Sequence, residues 1–267
     1  MSLPAFPATQ QEITTGWLQH SLQQAGVLQA GKTVSGFVLR PVAEQGQTSD
    51  AAIVDIAYDG VADGLPATFL LKFSHPSLAV RQRMSAVSCY EREAYFYREY
   101  GSRAGIAVPR CYAAHYDPET FSSALLLEYI EGVHTGSRFD FTLDEMQLAV
   151  ASLAAFHATW WRRDGEMAGL FDDHSRQSVV TRRWLVGEAV AAAREKFVLE
   201  MSEEGIAALA WWLEHADTLA LAARQRPRTM IHGDCHLQQM LFPTAGQGRF
   251  AVIDWQTVAI GCGASDL

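Results

Sequence analysis

Hydrophobic positions along the chain follow two rhythms. In ITTGWLQHSLQQAG, Ile13, Trp17, Leu18 and Leu22 recur at helical spacing and Gly26 supplies a stop, so the first element is read as a helix. Strand-like segments follow: SGFVLRPVA, DAAIVDIAYDG and ATFLLKFS, separated by the turn-rich GQTSD and DGVADGLP. A helical stretch then covers roughly residues 78–102 and includes SCYEREAYFYREYG. Two more strands, RCYAAHYD and SALLLEYI, flank the turn PETFS.

The pattern changes at the short connector EGVHTGS, residues 131–137. TLDEMQLAVASLAAFHATWW opens with Thr142 and Glu145 at capping-box spacing and continues as a helix. Further helical stretches cover roughly 176–198 and 203–224, and short strands TMI, QMLF and RFAVIDW (249–255) follow. A β-rich half and a helical half with a few strands predict a bilobal α+β protein, divided at 130/131. The chain shows no internal repeat and no low-complexity tract.

Composition narrows the classes of function. With 267 residues, 49% of them hydrophobic and 19% charged, the chain reads as an ordinary globular protein of one large domain or two lobes. A formal charge of −9 argues against a nucleic-acid binder and is compatible with a cationic substrate. Cys89, Cys111, Cys235 and Cys262 form no C-x-x-C pair and are too sparse for a disulfide framework. No signal peptide is read in MSLPAFPATQQEITTG, and the longest apolar run, IAALAWWL, is far short of a membrane span. A cytoplasmic protein without a membrane partner is expected.

The densest chemistry lies in MIHGDCHLQQMLF, residues 230–242, where His232, Asp234, Cys235 and His236 fall within five positions. Zinc could use His232 and His236 four apart, as in H-E-x-x-H, but that motif needs a continuous helix and a glutamate after the first histidine. Here Gly233 follows a strand-like TMI, and no matching ligand pair has suitable spacing. A Cys235 thiolate beside His236 is disfavoured, because neighbours on a turn point apart and no helix N-terminus is predicted to lower the thiol pKa.

Phosphoryl transfer asks for different parts. It needs a carboxylate to orient the attacking hydroxyl, oxygen ligands for magnesium, a lysine on the nucleotide phosphates and an anion to hold that lysine. Asp234 can supply the first, and Gln239 and Asp254 supply oxygen donors. Lys72 sits in the apolar strand FLLKFS, where an unpaired ammonium would be costly to desolvate, and Glu93 lies on the next helix.

Taken together, these segments resemble the aminoglycoside phosphotransferase and ecdysteroid-kinase-like group of small-molecule kinases, which share the protein-kinase-like fold. HGDCHLQQMLF resembles the H-G-D-x-x-x-x-N catalytic loop, VIDWQ the I-D-[FW] magnesium segment, and GCGASDL the G-x-G-x-x-D-L that follows. LAAFHATWW resembles the L-A-x-x-H-A-x-x-W helix. EREAYFYREYG, VPRCYAA and LLLEYIEG resemble the αC helix, the next strand and the hinge.

The resemblance implies an ATP- and Mg²⁺-dependent enzyme that phosphorylates a hydroxyl of a small molecule of the aminoglycoside, amino-alcohol, sugar or sterol kind. It assigns Asp234 as catalytic base, Asp254 and Gln239 as magnesium ligands, and Lys72 to the phosphates. Glu93 holds Lys72, with Glu91 as the alternative. Gly46, Thr48 and Ser49, in the turn EQGQTSD, cover the phosphates, and the carbonyl of Glu128 and the amide of Ile130 meet adenine. His232 supports the loop by hydrogen bonding, and His157 is read as a packed core histidine.

Two departures stand out. Position 239 is Gln where the family has Asn, and the chain stops at Leu267, where the resemblance implies further C-lobe helices. Both departures support a rival reading, a nucleotide-binding pseudokinase or scaffold; Lys72, Asp234 and Asp254 oppose it.

Overall fold

A computed structural model describes residues 6–29, 31–42, 48–60, 64–136, 141–173, 175, 178–180, 183–184, 186–187, 202–244 and 246–267. Its helices and strands make an α+β chain that divides into two compact units: Met1–Phe156 with Cys235–Thr257, and His157–Asp234 with Val258–Leu267.

The first unit is built on a five-stranded antiparallel sheet. Its strands β1 (Val34–Pro41), β2 (Ser49–Tyr58), β3 (Thr68–Ser74), β4 (Cys111–Asp117) and β5 (Ser122–Glu128) lie in the order β1-β2-β3-β5-β4. Helix α1 (Thr15–Gln24) starts where the Thr14 hydroxyl accepts the Trp17 amide at 3.1 Å, and Gly26 beyond its end takes φ 68°. Alternation along β3 sets which way each side chain goes. Phe69, Leu71 and Phe73 join Trp17, Leu18 and Leu22 of α1 in one core with Val54 and Leu126, each large side chain contributing roughly 1.5–3 kcal/mol of burial. Lys72 therefore takes the opposite face, between Ala51 of β2 and Leu125 of β5 in the ladder.

The helical stretch expected over 78–102 is two helices, α2 (Leu78–Ser85) and α3 (Cys89–Glu99). Ser88 separates them at φ 57°, a left-handed conformation that a continuous helix cannot contain. The α3 face toward the sheet buries Tyr90, Glu93, Ala94, Phe96 and Tyr97.

A three-stranded antiparallel sheet completes this unit: β6 (Val133–Thr135), β8 (Met240–Pro243) and β9 (Ala251–Val252), in the order β6-β8-β9. The segment read as a connector thus carries a strand. Gly248 makes its approach possible, since a Cβ there would lie 2.5 Å from the carbonyl oxygens of both Glu131 and Gly132. The strand expected over 249–255 pairs only at Ala251–Val252, because Asp254 turns the chain out of the extended region at φ 64°.

Trp255 follows at once and is wholly buried. It stacks on Phe96 with ring centroids 4.0 Å apart, meets Phe156 edge-on at 5.3 Å and donates from its indole to the Val252 carbonyl at 3.1 Å. Helix α4 (Leu143–Trp160) supplies Phe156. It begins with the expected capping box: the Thr142 amide donates to Glu145 Oε2 at 2.7 Å, and the Glu145 amide donates to Thr142 Oγ1 at 3.2 Å.

The second unit holds helix α5 (Glu203–Arg224) and a two-stranded antiparallel ladder of β7 (Thr229–Ile231) with β10 (Ala259–Gly261). The Ser202 hydroxyl accepts the Gly205 amide at the start of α5. The helix expected over 176–198 falls largely outside the described residues. Among the described residues, no helix is long and apolar enough to cross a membrane.

The Phe96–Trp255–Phe156 stack ties α3 and α4 to the segment that carries Asp254. Phe96→Ala should therefore destabilise the protein by about 3–5 kcal/mol, as truncating a buried aromatic ring does. Urea denaturation of the two proteins measures this, and a loss under about 1 kcal/mol would show that the stack is dispensable.

Candidate active site

An ammonium on an apolar strand needs counter-charges, and two are in place. Lys72 Nζ lies 2.7 Å from Glu93 Oε1 and 2.6 Å from Asp254 Oδ1, all within the first unit. The Glu93 side chain is buried, that of Lys72 is 14% exposed and that of Asp254 is 28% exposed. Burial alone would lower the Lys72 pKa, but the charges of Asp254 and Glu93 outweigh it and hold the ammonium above its ordinary value. Burial pushes the Glu93 carboxyl up to about 7 despite Lys72, and the second carboxylate, Asp254, adds to the rise. Two carboxylates share one ammonium, so the ionised cluster carries a net negative charge.

Asp254 owes its position to its neighbours in sequence. The backbone at φ 64° turns its carboxylate toward Lys72, while Ile253 just before it donates its amide to the Gln239 carbonyl at 2.9 Å. Gln239 ends the short 3₁₀ turn Leu237–Gln239, and its side-chain amide donates to Asp254 Oδ2 at 2.9 Å. A carboxylate and a primary amide are therefore side by side.

That donor set fits a magnesium ion. Mg²⁺ is commonly held by one or two carboxylates and completes its octahedron with phosphate oxygens and water. Among the described residues no group of three or more His, Cys, Asp and Glu side chains could form an all-protein cage. A half-turn of the Gln239 amide would exchange its NH₂ for its carbonyl oxygen toward the same place.

In the second unit, a different buried carboxylate organises the loop after β7. Asp266, with its side chain fully buried, accepts from the backbone amides of His232 and Gly233, both at 2.8 Å. His157 Nε2 also meets Asp266 Oδ2, at 2.9 Å. The His157 carbonyl accepts from Thr229 Oγ1 at 2.8 Å, which joins α4 to β7. Gly263 leaves room for this arrangement, because a Cβ there would come 2.9 Å from His157 Nδ1. The next residue in the loop, Asp234, is exposed at the surface of its unit.

The loop support expected of His232 thus runs through its backbone amide. His157, read as a packing residue, instead bonds the carboxylate that holds the loop. Spacing did not reveal the pair, since 109 residues separate His157 from Asp266. The motif GCGASDL was the available signal, but it gave Asp266 no role.

The remaining candidates lie around the first unit. Thr48 donates its hydroxyl to Gln256 Oε1 at 3.3 Å, and its carbonyl accepts the Tyr90 hydroxyl at 2.6 Å. Ser49 begins β2, buried and opposite Ser74. Gly46 lies outside the described residues. Glu128 ends β5, where its carboxylate accepts the Arg110 amide at 2.9 Å and Arg249 Nη2 at 2.5 Å; Ile130, two residues on, is buried. The structure thus gathers Lys72, Glu93, Gln239 and Asp254 into one cluster, with Thr48 bonded two residues beyond Asp254. Glu91, the alternative partner of Lys72, is on the exposed side of α3.

Residues 59–267 match the model of the phosphotransferase enzyme family. Among solved structures, the chain is similar to the aminoglycoside phosphotransferase APH(2")-IIIa in its GDP and kanamycin complex, with 14% identity and a TM-score of 0.53, covering 95% of this chain and 76% of that one. A mutant of the same enzyme in its GDP complex gives 11% identity and a TM-score of 0.50, covering 94% and 74%. A Plasmodium vivax ethanolamine kinase gives 12% identity and a TM-score of 0.49, covering 94% of this chain and 64% of that one. No curated protein sequence matches the chain.

The raised Glu93 pKa has a consequence for stability. Between its ordinary value and about 7 the folded protein holds a proton that the unfolded chain has released, so this group's contribution is complete at low pH and declines as pH rises through that window. Glu93→Gln, which cannot titrate, should flatten that part of the stability–pH curve for the nucleotide-free protein. Urea midpoints measured from pH 5 to 8 test this, and parallel curves for the two proteins would contradict it.

Proposed function

Because the chain belongs to the phosphotransferase enzyme family, we propose that it is an ATP- and Mg²⁺-dependent kinase acting on a hydroxyl of a small molecule. The observation that carries this reading is the Lys72 ammonium held between Glu93 and Asp254, with Gln239 on the far oxygen of Asp254. A lysine fixed by a helical carboxylate, next to oxygen donors for a hard cation, is what phosphate binding requires. On this reading residues 1–130 form the nucleotide lobe, and residues 131–267 carry the catalytic loop and the metal segment. Thr48, Ser49 and Gly46 cover the phosphates, and the backbone of Glu128 and Ile130 meets adenine.

The chemistry follows from these assignments. The acceptor oxygen bonds to the γ-phosphorus as the bond from that phosphorus to the β,γ-bridging oxygen breaks, and ADP leaves. Asp234 orients the hydroxyl and takes its proton. Lys72 turns its ammonium to the phosphates, and Glu93 keeps it in place, which would leave Asp254 free to hold a metal ion. Asp254 and Gln239 would hold Mg²⁺, which when bound neutralises phosphate charge. Asp266 and His157 keep the backbone under Asp234 in one conformation, so catalysis is positioning and charge stabilisation with no covalent enzyme intermediate.

The acceptor class is an aminoglycoside-, amino-alcohol-, sugar- or sterol-like alcohol. APH(2")-IIIa was solved with kanamycin, and the charge of −9 suits a cationic acceptor. All four cysteines are free thiols, which supports work in the cytoplasm. The second reading, a nucleotide-binding pseudokinase, draws on Gln239, whose amide nitrogen rather than oxygen faces Asp254.

Asp234→Asn should lower single-turnover phosphotransfer by about 10²–10⁴-fold while nucleotide affinity stays near wild type. The assay uses γ-labelled ATP, Mg²⁺ and an acceptor found by screening small alcohols. A fall of less than about tenfold would remove Asp234 from the chemistry.

Gln239 separates the two readings. Gln239→Ala should raise the Mg²⁺ concentration needed for half-maximal turnover, and Gln239→Asn should keep substantial activity with an altered metal preference. Mg²⁺ demands close octahedral geometry, so Mn²⁺ should rescue both variants more than it helps the wild type. Coincident Mg²⁺ and Mn²⁺ titrations for the three proteins would show that Gln239 is no ligand. Nucleotide binding with no turnover of any alcohol by the wild type would establish the pseudokinase.

A further inference from the structure

A cavity of about 510 Å³ lies within the first unit, where the end of α3, the turn after it and the chain leading into β4 meet Arg249. Its size falls in the range of about 300–1,000 Å³ typical of small-molecule sites. Tyr97 of α3 lines it, and this residue is only 4% exposed. Among the described residues the Tyr97 hydroxyl makes no hydrogen bond, and it is not one of the atoms sealed from the surface without a partner. A hydroxyl without a protein partner, open to a cavity, marks a place where a ligand can supply one.

The rest of the wall defines that ligand. Ile106, Val108 and Pro109 give an apolar side, while Arg110 and Arg249 give positive charge; among the described residues no carboxylate lines the cavity itself. Arg110 is spoken for: its Nη2 donates to the Ala25 carbonyl at 3.1 Å and its guanidinium lies over the Tyr112 ring at 5.1 Å. Arg249 uses Nη2 on the Val108 carbonyl at 3.0 Å and on Glu128 at 2.5 Å, and Nη1 on the Phe250 carbonyl at 3.5 Å. A guanidinium carries five N–H donors in a planar fork, so Arg249 retains donors beyond those contacts.

We propose that this cavity binds a small organic carboxylate with an apolar body. The carboxylate accepts from the Tyr97 hydroxyl and from the remaining N–H groups of Arg249, and the body packs on Ile106, Val108 and Pro109. Burial holds the Tyr97 pKa well above 10, so the hydroxyl keeps its proton and donates it to the bond. A neutral alcohol of the same shape would meet the hydroxyl but forgo the charge-assisted contact with Arg249. A phosphate without an apolar part would leave the aliphatic wall uncovered. Arg249 also joins the cavity to Glu128 at the end of β5, so an occupant shares its cation with that carboxylate.

Binding here does not depend on phosphotransfer, so the test is independent of the activity proposed above. Octanoate and phenylpropionate are the probes, with octanol and phenylpropanol as matched controls, followed on the full chain by ligand-observed NMR and thermal shift. Both acids should bind saturably, each more tightly than its alcohol. Tyr97→Phe should weaken the acids about tenfold, the effect of losing a hydrogen bond to a charged group. The variant should melt no lower than wild type, because the hydroxyl it removes has no protein partner. Arg249→Gln should remove the preference for acid over alcohol. The proposal is overturned if neither acid binds saturably at millimolar concentration, if acids and alcohols bind alike, or if Tyr97→Phe keeps wild-type affinity for the acids.

Discussion

A charged ammonium on a buried strand is the constraint around which the first unit is arranged. Lys72 cannot leave the inner face of β3, because the alternation that places it there also places Phe69, Leu71 and Phe73 in the core under α1. Its charge must therefore be met where it stands. One carboxylate comes from α3 at 2.7 Å and the other from the segment after β9 at 2.6 Å. Each demands its own support. Glu93 faces inward only because α3 starts afresh after Ser88, and Asp254 only because the backbone there accepts φ 64°. That conformation is sparsely populated for a residue with a side chain, and the buried Trp255 stack immediately after it supplies the packing that holds it.

Asp266 reverses this logic in the second unit. Asp254 meets a side-chain cation and leaves a partly exposed carboxylate that a second cation can reach; Asp266 is fully buried and is met by two backbone amides and an imidazole. One carboxylate is available for exchange and the other is not. On the proposed reading, Asp254 releases Lys72 when nucleotide binds, while the backbone before Asp234 stays held by Asp266. The difference in exposure between the two carboxylates suits these different tasks.

Much of this was legible in the sequence where local pattern and local geometry agree. Strand-like segments set off by turn-rich stretches located the five strands, and the pair Thr142/Glu145 located the start of α4, because a capping box is a contact between residues three apart. Lys72 and Glu93 were legible for a different reason: an ammonium in FLLKFS is costly alone, which forces a search for a partner, whereas Gln239 and Asp254 were read only as oxygen donors for magnesium and the Asp254–Lys72 contact was not foreseen. What escaped was non-local or conformational. The break at Ser88 and the turn at Asp254 depend on single left-handed residues that no periodicity marks. The strand β6 exists because β8 lies beside it, and His157 finds Asp266 across 109 residues through tertiary packing alone.

Helix α3 shows how one face can be asked to do two things. Glu93 and Tyr97 are four residues apart, one turn along the same buried stripe. The carboxylate must reach the β3 lysine, so the phase of the helix is fixed at that point, and the next turn inherits it. Tyr97 is thereby carried inward at a place where Gly101 and the chain up to Cys111 leave space beside it. Cys111, whose thiol burial pushes up to about 12, stays neutral there and brings no negative charge to repel an anion. An unpaired hydroxyl beside the cavity is therefore a consequence of meeting the Lys72 charge one turn earlier, and not a defect of packing. A ligand that satisfies the hydroxyl would brace the helix that holds Glu93, through the same turn that carries Tyr97 to the cavity.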